Sequence, residues 1–71
     1  DLFAGTGNIS YEFASRGCNP VVAVETDFRC VRYINETLAL LNAPIKCVRA
    51  NVFSYLATAH QKFDIIFADP P

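Results

Sequence analysis

The residues best suited to chemistry fall in separate stretches of the chain. Gly5-Thr6-Gly7 places two glycines within three residues, between a short apolar run and a helical pattern. Glycine at that density marks a tight turn whose backbone passes close to its neighbour, and the following helix presents free N–H groups to a ligand. Glu25 closes the run Val21-Val22-Ala23-Val24. A carboxylate at the end of a buried strand can accept two ribose hydroxyls at once, or it can cap the next helix. Asn51 has a similar double use, since its amide can donate and accept at an adenine edge and its type is a favoured N-cap. Asp1 lies beneath the glycine turn, placed to reach an ammonium group or to hold the loop backbone.

Asp69-Pro70-Pro71 discriminates most sharply. Two prolines fix the direction of the chain, so the Asp69 carboxylate and a neighbouring carbonyl can be held as a pair of acceptors. An exocyclic base amine has its lone pair delocalised into the ring. Two acceptors on its N–H bonds favour the pyramidal, nucleophilic form and the positive charge that develops as it attacks. The plainer alternative is a turn after a strand.

The elements that must position these groups alternate. Asp1 to Ala4 reads as the end of a first strand, with a helix from Asn8 to Arg16 that sets Ile9 and Phe13 on one face and stops at Gly17. Val21 to Val24 is a second strand, buried on both faces because its apolar run does not alternate. Asp27 is the N-cap of a helix whose stripe is Val31, Ile34, Leu38 and Leu41, ended by Asn42-Ala43-Pro44. Ile45 to Arg49 is a third strand. Phe53, Leu56 and Ala57 give the next helix its buried face, and Phe63 to Ala68 is a fourth strand broken by Asp69-Pro70-Pro71.

Strands alternating with helices predict an α/β fold, a Rossmann-like doubly wound parallel sheet with right-handed crossovers and strand order 3-2-1-4. In that order the first and fourth strands are neighbours, and the loops after them face one crevice. A nicotinamide dinucleotide is a weaker fit, because the G-x-G-x-x-G/A fingerprint has Ser10 at its last position, and the absence of Gly-Lys-Ser/Thr excludes a phosphate-binding P-loop. Glu25 suits NAD and S-adenosyl-L-methionine equally.

Asp1-Leu2-Phe3-Ala4-Gly5-Thr6-Gly7 together with Asp69-Pro70-Pro71 resembles motifs I and IV of Rossmann-fold amino-methyltransferases. The whole chain, including Glu25-Thr26-Asp27 and Ala50-Asn51-Val52-Phe53, is similar to the bacterial family that methylates guanine N2 in 16S ribosomal RNA. The resemblance implies S-adenosylmethionine as cofactor, held by Asp1, Phe3, Gly5, Gly7, Glu25, Thr26, Asn51 and Val52. It implies Asp69, Pro70 and Pro71 as the catalytic turn, and ribosomal RNA or the small ribosomal subunit as partner. Adenine N6 and a protein glutamine amide are alternative targets within methyltransferases. An NAD(P)-dependent oxidoreductase and a non-catalytic nucleoside- or RNA-binding module are alternatives outside them.

Composition narrows the class. The chain of 71 residues is 52% apolar and 18% charged, which excludes a disordered tail. A parallel sheet in so short a chain leaves its fourth strand with an open edge, so residues 1–71 are expected to be a partial methyltransferase domain, its N-terminal cofactor-binding half. Cys18, Cys30 and Cys47 have neither C-x-x-C spacing nor an even count, so neither a disulfide framework nor a metal site is expected. No apolar run approaches the length of a membrane helix, and the expected location is cytoplasmic. The net charge is −1, with Arg16, Arg29, Arg32, Lys46, Arg49 and Lys62 scattered along the chain, so no basic stripe announces nucleic acid.

Overall fold

The computed structural model describes residues 1–71. Its elements run α1 (Asn8–Ser15), β1 (Val21–Glu25), α2 (Phe28–Leu41), β2 (Ile45–Arg49) and α3 (Val52–Thr58). The strands β1 and β2 pair in parallel, with Val21 opposite Ile45 and Glu25 opposite Arg49. Parallel neighbours need a crossover, and α2 supplies it.

The unbroken apolar run of β1 is explained by burial on both faces. Successive side chains point to opposite sides of a strand. Val21 and Ala23 pack with Ile45 on one side, against Tyr11, Phe13 and Ala14 of α1 and Leu38 of α2. Val22 and Val24 pack with Val52 on the other side, against Leu2, Phe3, Tyr55 and Phe63. Helices therefore cover both faces of the small sheet.

The expected first and fourth strands are reduced to isolated bridges. Leu2 pairs in parallel with Val24 on one side and with Ala68 on the other. Its N–H donates to the Phe67 carbonyl at 2.8 Å, and the Ala4 N–H donates to the Val24 carbonyl at 3.0 Å. The left-handed turn at Phe3, φ 58°, bends the chain away directly after Leu2. Ile65 and Ile66, expected inside a buried strand, are 61% and 65% exposed.

Local signals explain the helix ends. Asp27 accepts the Arg29 N–H at 2.8 Å as the N-cap of α2, and Asn42 closes the helix in the left-handed conformation, its N–H on the Leu38 carbonyl. Gly17 follows α1 at φ 96°. The buried faces agree with the expected ones at Phe13, Ile34 and Leu38 and differ elsewhere. In α1 Ser10 is fully buried whereas Ile9 is 40% exposed. In α2 Ile34 is buried and Leu41, in the last turn, is 61% exposed. In α3 the inward positions are Val52 and Tyr55, three residues apart. Phe53 and Leu56 are 73% and 49% exposed, and Ala57 is exposed too. Asn51 caps α3, so Val52 is its first residue, and the phase of so short a helix follows from the cap.

Candidate active site

A cavity of about 420 Å³ opens at the carboxyl ends of β1 and β2, lined by Phe3, Gly5, Glu25, Thr26, Asp27, Cys30, Asn51, Val52, Phe53, Asp69 and Pro71. It is built from loops that follow strands or bridges. The first of these bends sharply, with Phe3 at φ 58°, Gly5 at φ 59° and Gly7 at φ 90°. Only glycine takes such angles freely; at a bulky residue such as Phe3 they cost on the order of 1–3 kcal/mol. A Cβ added at Gly5 would meet no atom within 4 Å, so the space beside this cavity-lining backbone is open.

Glu25 binds the loops on either side of it. Its Oε1 accepts the Gly5 N–H at 2.7 Å, and its Oε2 accepts the N–H groups of Thr26 and Asp27 at 3.0 and 2.9 Å. A carboxylate offers roughly four lone-pair sites, so this one retains acceptor capacity toward the cavity. The holding and the ligand-accepting roles are compatible, and the first is visible.

Asn51 spends its oxygen on the helix. Its Oδ1 accepts the N–H groups of Phe53 and Ser54 at 2.9 and 3.2 Å, which leaves the Nδ2 hydrogens as donors on a residue that lines the cavity. Val52 is buried beneath the cavity, and the Phe53 ring meets the Phe3 ring edge to face at 6.3 Å. Asp27 pairs with Arg29 at 3.1 Å, and that side-chain hydrogen bond, with the Arg29 backbone N–H, holds its carboxyl below the ordinary value. Desolvation, with the carboxylates of Asp27 and Glu25, pushes the Cys30 thiol above its ordinary value. It lines the cavity as a neutral thiol.

Of the residues singled out from the sequence, the cavity gathers Phe3, Gly5, Glu25, Thr26, Asn51, Val52, Asp69 and Pro71. Asp69 is exposed there. Asp1, Gly7 and Pro70 are not on its wall. Gly7 instead lies buried against the core, where an added Cβ would come within 3.1 Å of Ile34 and 3.3 Å of Tyr11. Asp1 accepts the Ser10 hydroxyl at 2.7 Å and borders a separate cavity of about 220 Å³ near the start of β1, beside Phe13, Val22, Lys62 and Phe67. No group of three or more His, Cys, Asp and Glu gathers at a metal-binding distance, and no helix is long and apolar enough to cross a membrane.

With this geometry in hand, comparison with known proteins is decisive for the family. The family described as Conserved hypothetical protein 95 matches residues 1–71. The chain belongs to this family. Curated relatives include the ribosomal RNA large subunit methyltransferase K/L of Shewanella sediminis, 38% identical over 74 residues that cover all of this chain and 10% of the relative. The corresponding protein of Hahella chejuensis is 33% identical over 73 residues, with the same shares. The ribosomal RNA small subunit methyltransferase D of Escherichia coli is 33% identical over 72 residues, all of this chain and 36% of the relative. The chain thus spans between a tenth and about a third of the length of these relatives, which carry names for both ribosomal subunits. No solved structure matches it.

Sequence reasoning missed some of the neighbourhood. Ser10 figured only as a departure from a dinucleotide fingerprint, yet it is the fully buried partner of Asp1. Phe53, expected in the core, faces outward, and its place directly after the cap and Val52 is the available sign of that.

Proposed function

We propose that this chain is the cofactor-binding half of an enzyme that transfers a methyl group from S-adenosylmethionine to an exocyclic base amine of ribosomal RNA, with guanine N2 of the small-subunit RNA as the favoured target. The observation that carries the reading is that Glu25 and Asp69, 44 residues apart in the chain, line one cavity together with Gly5 of the glycine loop. The double bridge of Leu2 supports a sheet order of 3-2-1-4 in the complete domain.

The lining fits the cofactor. Its volume lies within the range of small-molecule sites, about 300–1,000 Å³. Glu25 retains acceptor capacity for ribose hydroxyls, the Nδ2 of Asn51 offers donors to a purine edge, and open space beside Gly5 allows close approach to the backbone. Thr26, Val52 and Phe3 supply the remaining wall, Gly7 lets the loop pack on α1 and α2, and Asp1, tied to Ser10, supports the loop from below.

Bound there, S-adenosylmethionine supplies an electrophilic methyl group on its sulfonium. Asp69 would accept an N–H of the target amine and stabilise the positive charge that forms on nitrogen as the N–C bond forms and the methyl's bond to sulfur breaks, the surplus proton then leaving the nitrogen for solvent. Pro70 and Pro71 keep the Asp69 backbone from rotating away, so most of the rate enhancement comes from positioning. A paired base cannot reach such a pocket, and the target nucleotide must be single-stranded or flipped out.

Calorimetric titration of the full-length protein with S-adenosylmethionine and with NAD(P), followed by mass-spectrometric mapping of ribosomal RNA from a deletion strain, tests the reading. Binding of the first cofactor and loss of one methylated guanine are expected. A preference for NAD(P), or unchanged RNA modification, would refute it.

A further inference from the structure

The four arginines of this chain are held in different ways. Arg16 pairs with Glu12, Arg29 with Asp27 and Arg32 with Glu36, each within a single helix or at its cap. Arg49 has no such carboxylate. Its guanidinium lies over the Phe28 ring, 5.7 Å from the centroid, and its Nε reaches the Thr26 carbonyl at 3.5 Å. Glu25 stands opposite Arg49 in the sheet register, but its carboxylate is turned to the N–H groups of Gly5, Thr26 and Asp27. The charge of Arg49 is therefore uncompensated, and the aromatic ring beneath it is 57% exposed.

The pair sits at the carboxyl end of the sheet. Arg49 is the last residue of β2, Phe28 the first of α2, and Thr26 belongs to the wall of the 420 Å³ cavity. The guanidinium covers one face of the Phe28 ring, the part of the ring left exposed can meet a base, and a planar cation held on a ring can still bond a phosphate through its edge. We infer that Phe28 and Arg49 form a docking point for single-stranded RNA at the rim of the cavity, one residue contacting a base and the other a phosphate. The inference rests on the proposed RNA substrate and extends it to residues outside the cofactor cavity. Single-stranded RNA is the partner because the site has one ring and one free cation, without the continuous basic surface that a duplex would require.

The test uses the full-length protein, a mixed-sequence single-stranded RNA oligonucleotide followed by fluorescence anisotropy over a series of KCl concentrations, and a parallel titration with S-adenosylmethionine. Arg49→Gln is expected to weaken RNA binding and to reduce the slope of log K against log[KCl] by about 0.7, the share of one phosphate on a single strand. Phe28→Leu is expected to weaken binding about fivefold or more with the slope unchanged, because it removes a stack and no charge. Arg49→Lys keeps the charge and should restore the slope. Cofactor affinity should stay within twofold throughout.

If wild type and variants bind RNA equally, the docking point is refuted while the RNA-methyltransferase reading stands. If the variants lose cofactor affinity and thermal stability together with RNA binding, the pair is a structural brace and the inference fails. If the wild-type protein binds the cofactor but not RNA, both the inference and the RNA reading fall.

Discussion

The two acidic residues on the cavity wall are built in opposite ways. Glu25 is half-buried at the end of a paired strand, and three backbone N–H groups within 3.0 Å hold its carboxylate. Asp69 is exposed, one residue past an isolated bridge, and two prolines follow it. A carboxylate already satisfied by the fold is suited to hold a shape that a ligand then reads. One left open is suited to interact with charge that appears only during a reaction. The contrast separates residues expected to govern binding from those expected to govern rate.

The largest expected effect tests the open side. Asp69→Ala should lower the single-turnover methylation rate by about 10²–10⁴ while leaving cofactor affinity nearly intact, which is the pattern of an interaction made in the transition state. Single-turnover assays with labelled cofactor, alongside titration of the same variant, measure both quantities. A rate within a fewfold of wild type would reduce Asp69 to a turn residue and remove the contrast.

Glu25→Gln tests the satisfied side. The amide oxygen replaces one acceptor, but the new –NH₂ must face at least one backbone N–H, so loop and ligand both suffer. Cofactor affinity should fall by roughly 1.5–3 kcal/mol, or about ten- to a hundredfold, together with a lower melting temperature. Calorimetry and thermal melts are the readouts, and a lower melting point with unchanged affinity would confine Glu25 to its structural bonds.

Asn51 sharpens the comparison, because one side chain divides the two duties between its two polar atoms. Asn51→Ser preserves an N-cap of equal quality but removes the two amide N–H donors and shortens the side chain, so its hydroxyl does not replace their reach into the cavity. Stability should change by no more than a few tenths of a kcal/mol, whereas cofactor binding weakens by about 0.5–1.5 kcal/mol. Equal losses in both measurements would mean that the amide serves only α3.

The smallest effect concerns Asp27. Arg29 holds its carboxyl below the ordinary 3.8, so its contribution is complete above that value and is lost as pH falls through the lowered one. Asp27→Asn keeps the cap and removes the titration. Melting temperatures of the variant should match wild type near pH 2 and fall slightly below it at pH 6; a constant offset across that range would show that the charge is irrelevant.

Legibility followed the source of each constraint. The β1–α2–β2 unit could be read from the sequence because its strands are dense in β-branched residues and its helix ends are marked by Asp27 and Asn42. The inward positions of α3 and of the first turn of α1 could not. A helix of seven or eight residues carries too few apolar positions to fix its phase, and here one polar bond, Ser10 to Asp1, and one cap, Asn51, decide it. Phe63 to Ala68 has strand composition, but its exposed isoleucines show that composition does not supply a partner. The cavity residues were legible where backbone chemistry required a type, as at Gly5 and Glu25. They were not legible where only proximity recruits them, as at Phe53 and Cys30.

Leu2 carries a consequence beyond pairing. It bridges Val24 on one side and Ala68 on the other, so the glycine loop and the Asp-Pro-Pro turn leave from adjacent rows. The step between neighbouring rows is about 4.8 Å, set by peptide hydrogen bonds and almost indifferent to side chains. The spacing between the glycine loop and the Asp-Pro-Pro turn thus works as a gauge cut into the backbone. Substitutions in the cavity can alter what is held at either jaw, but the width between them changes only if the main-chain bonds of Leu2 break.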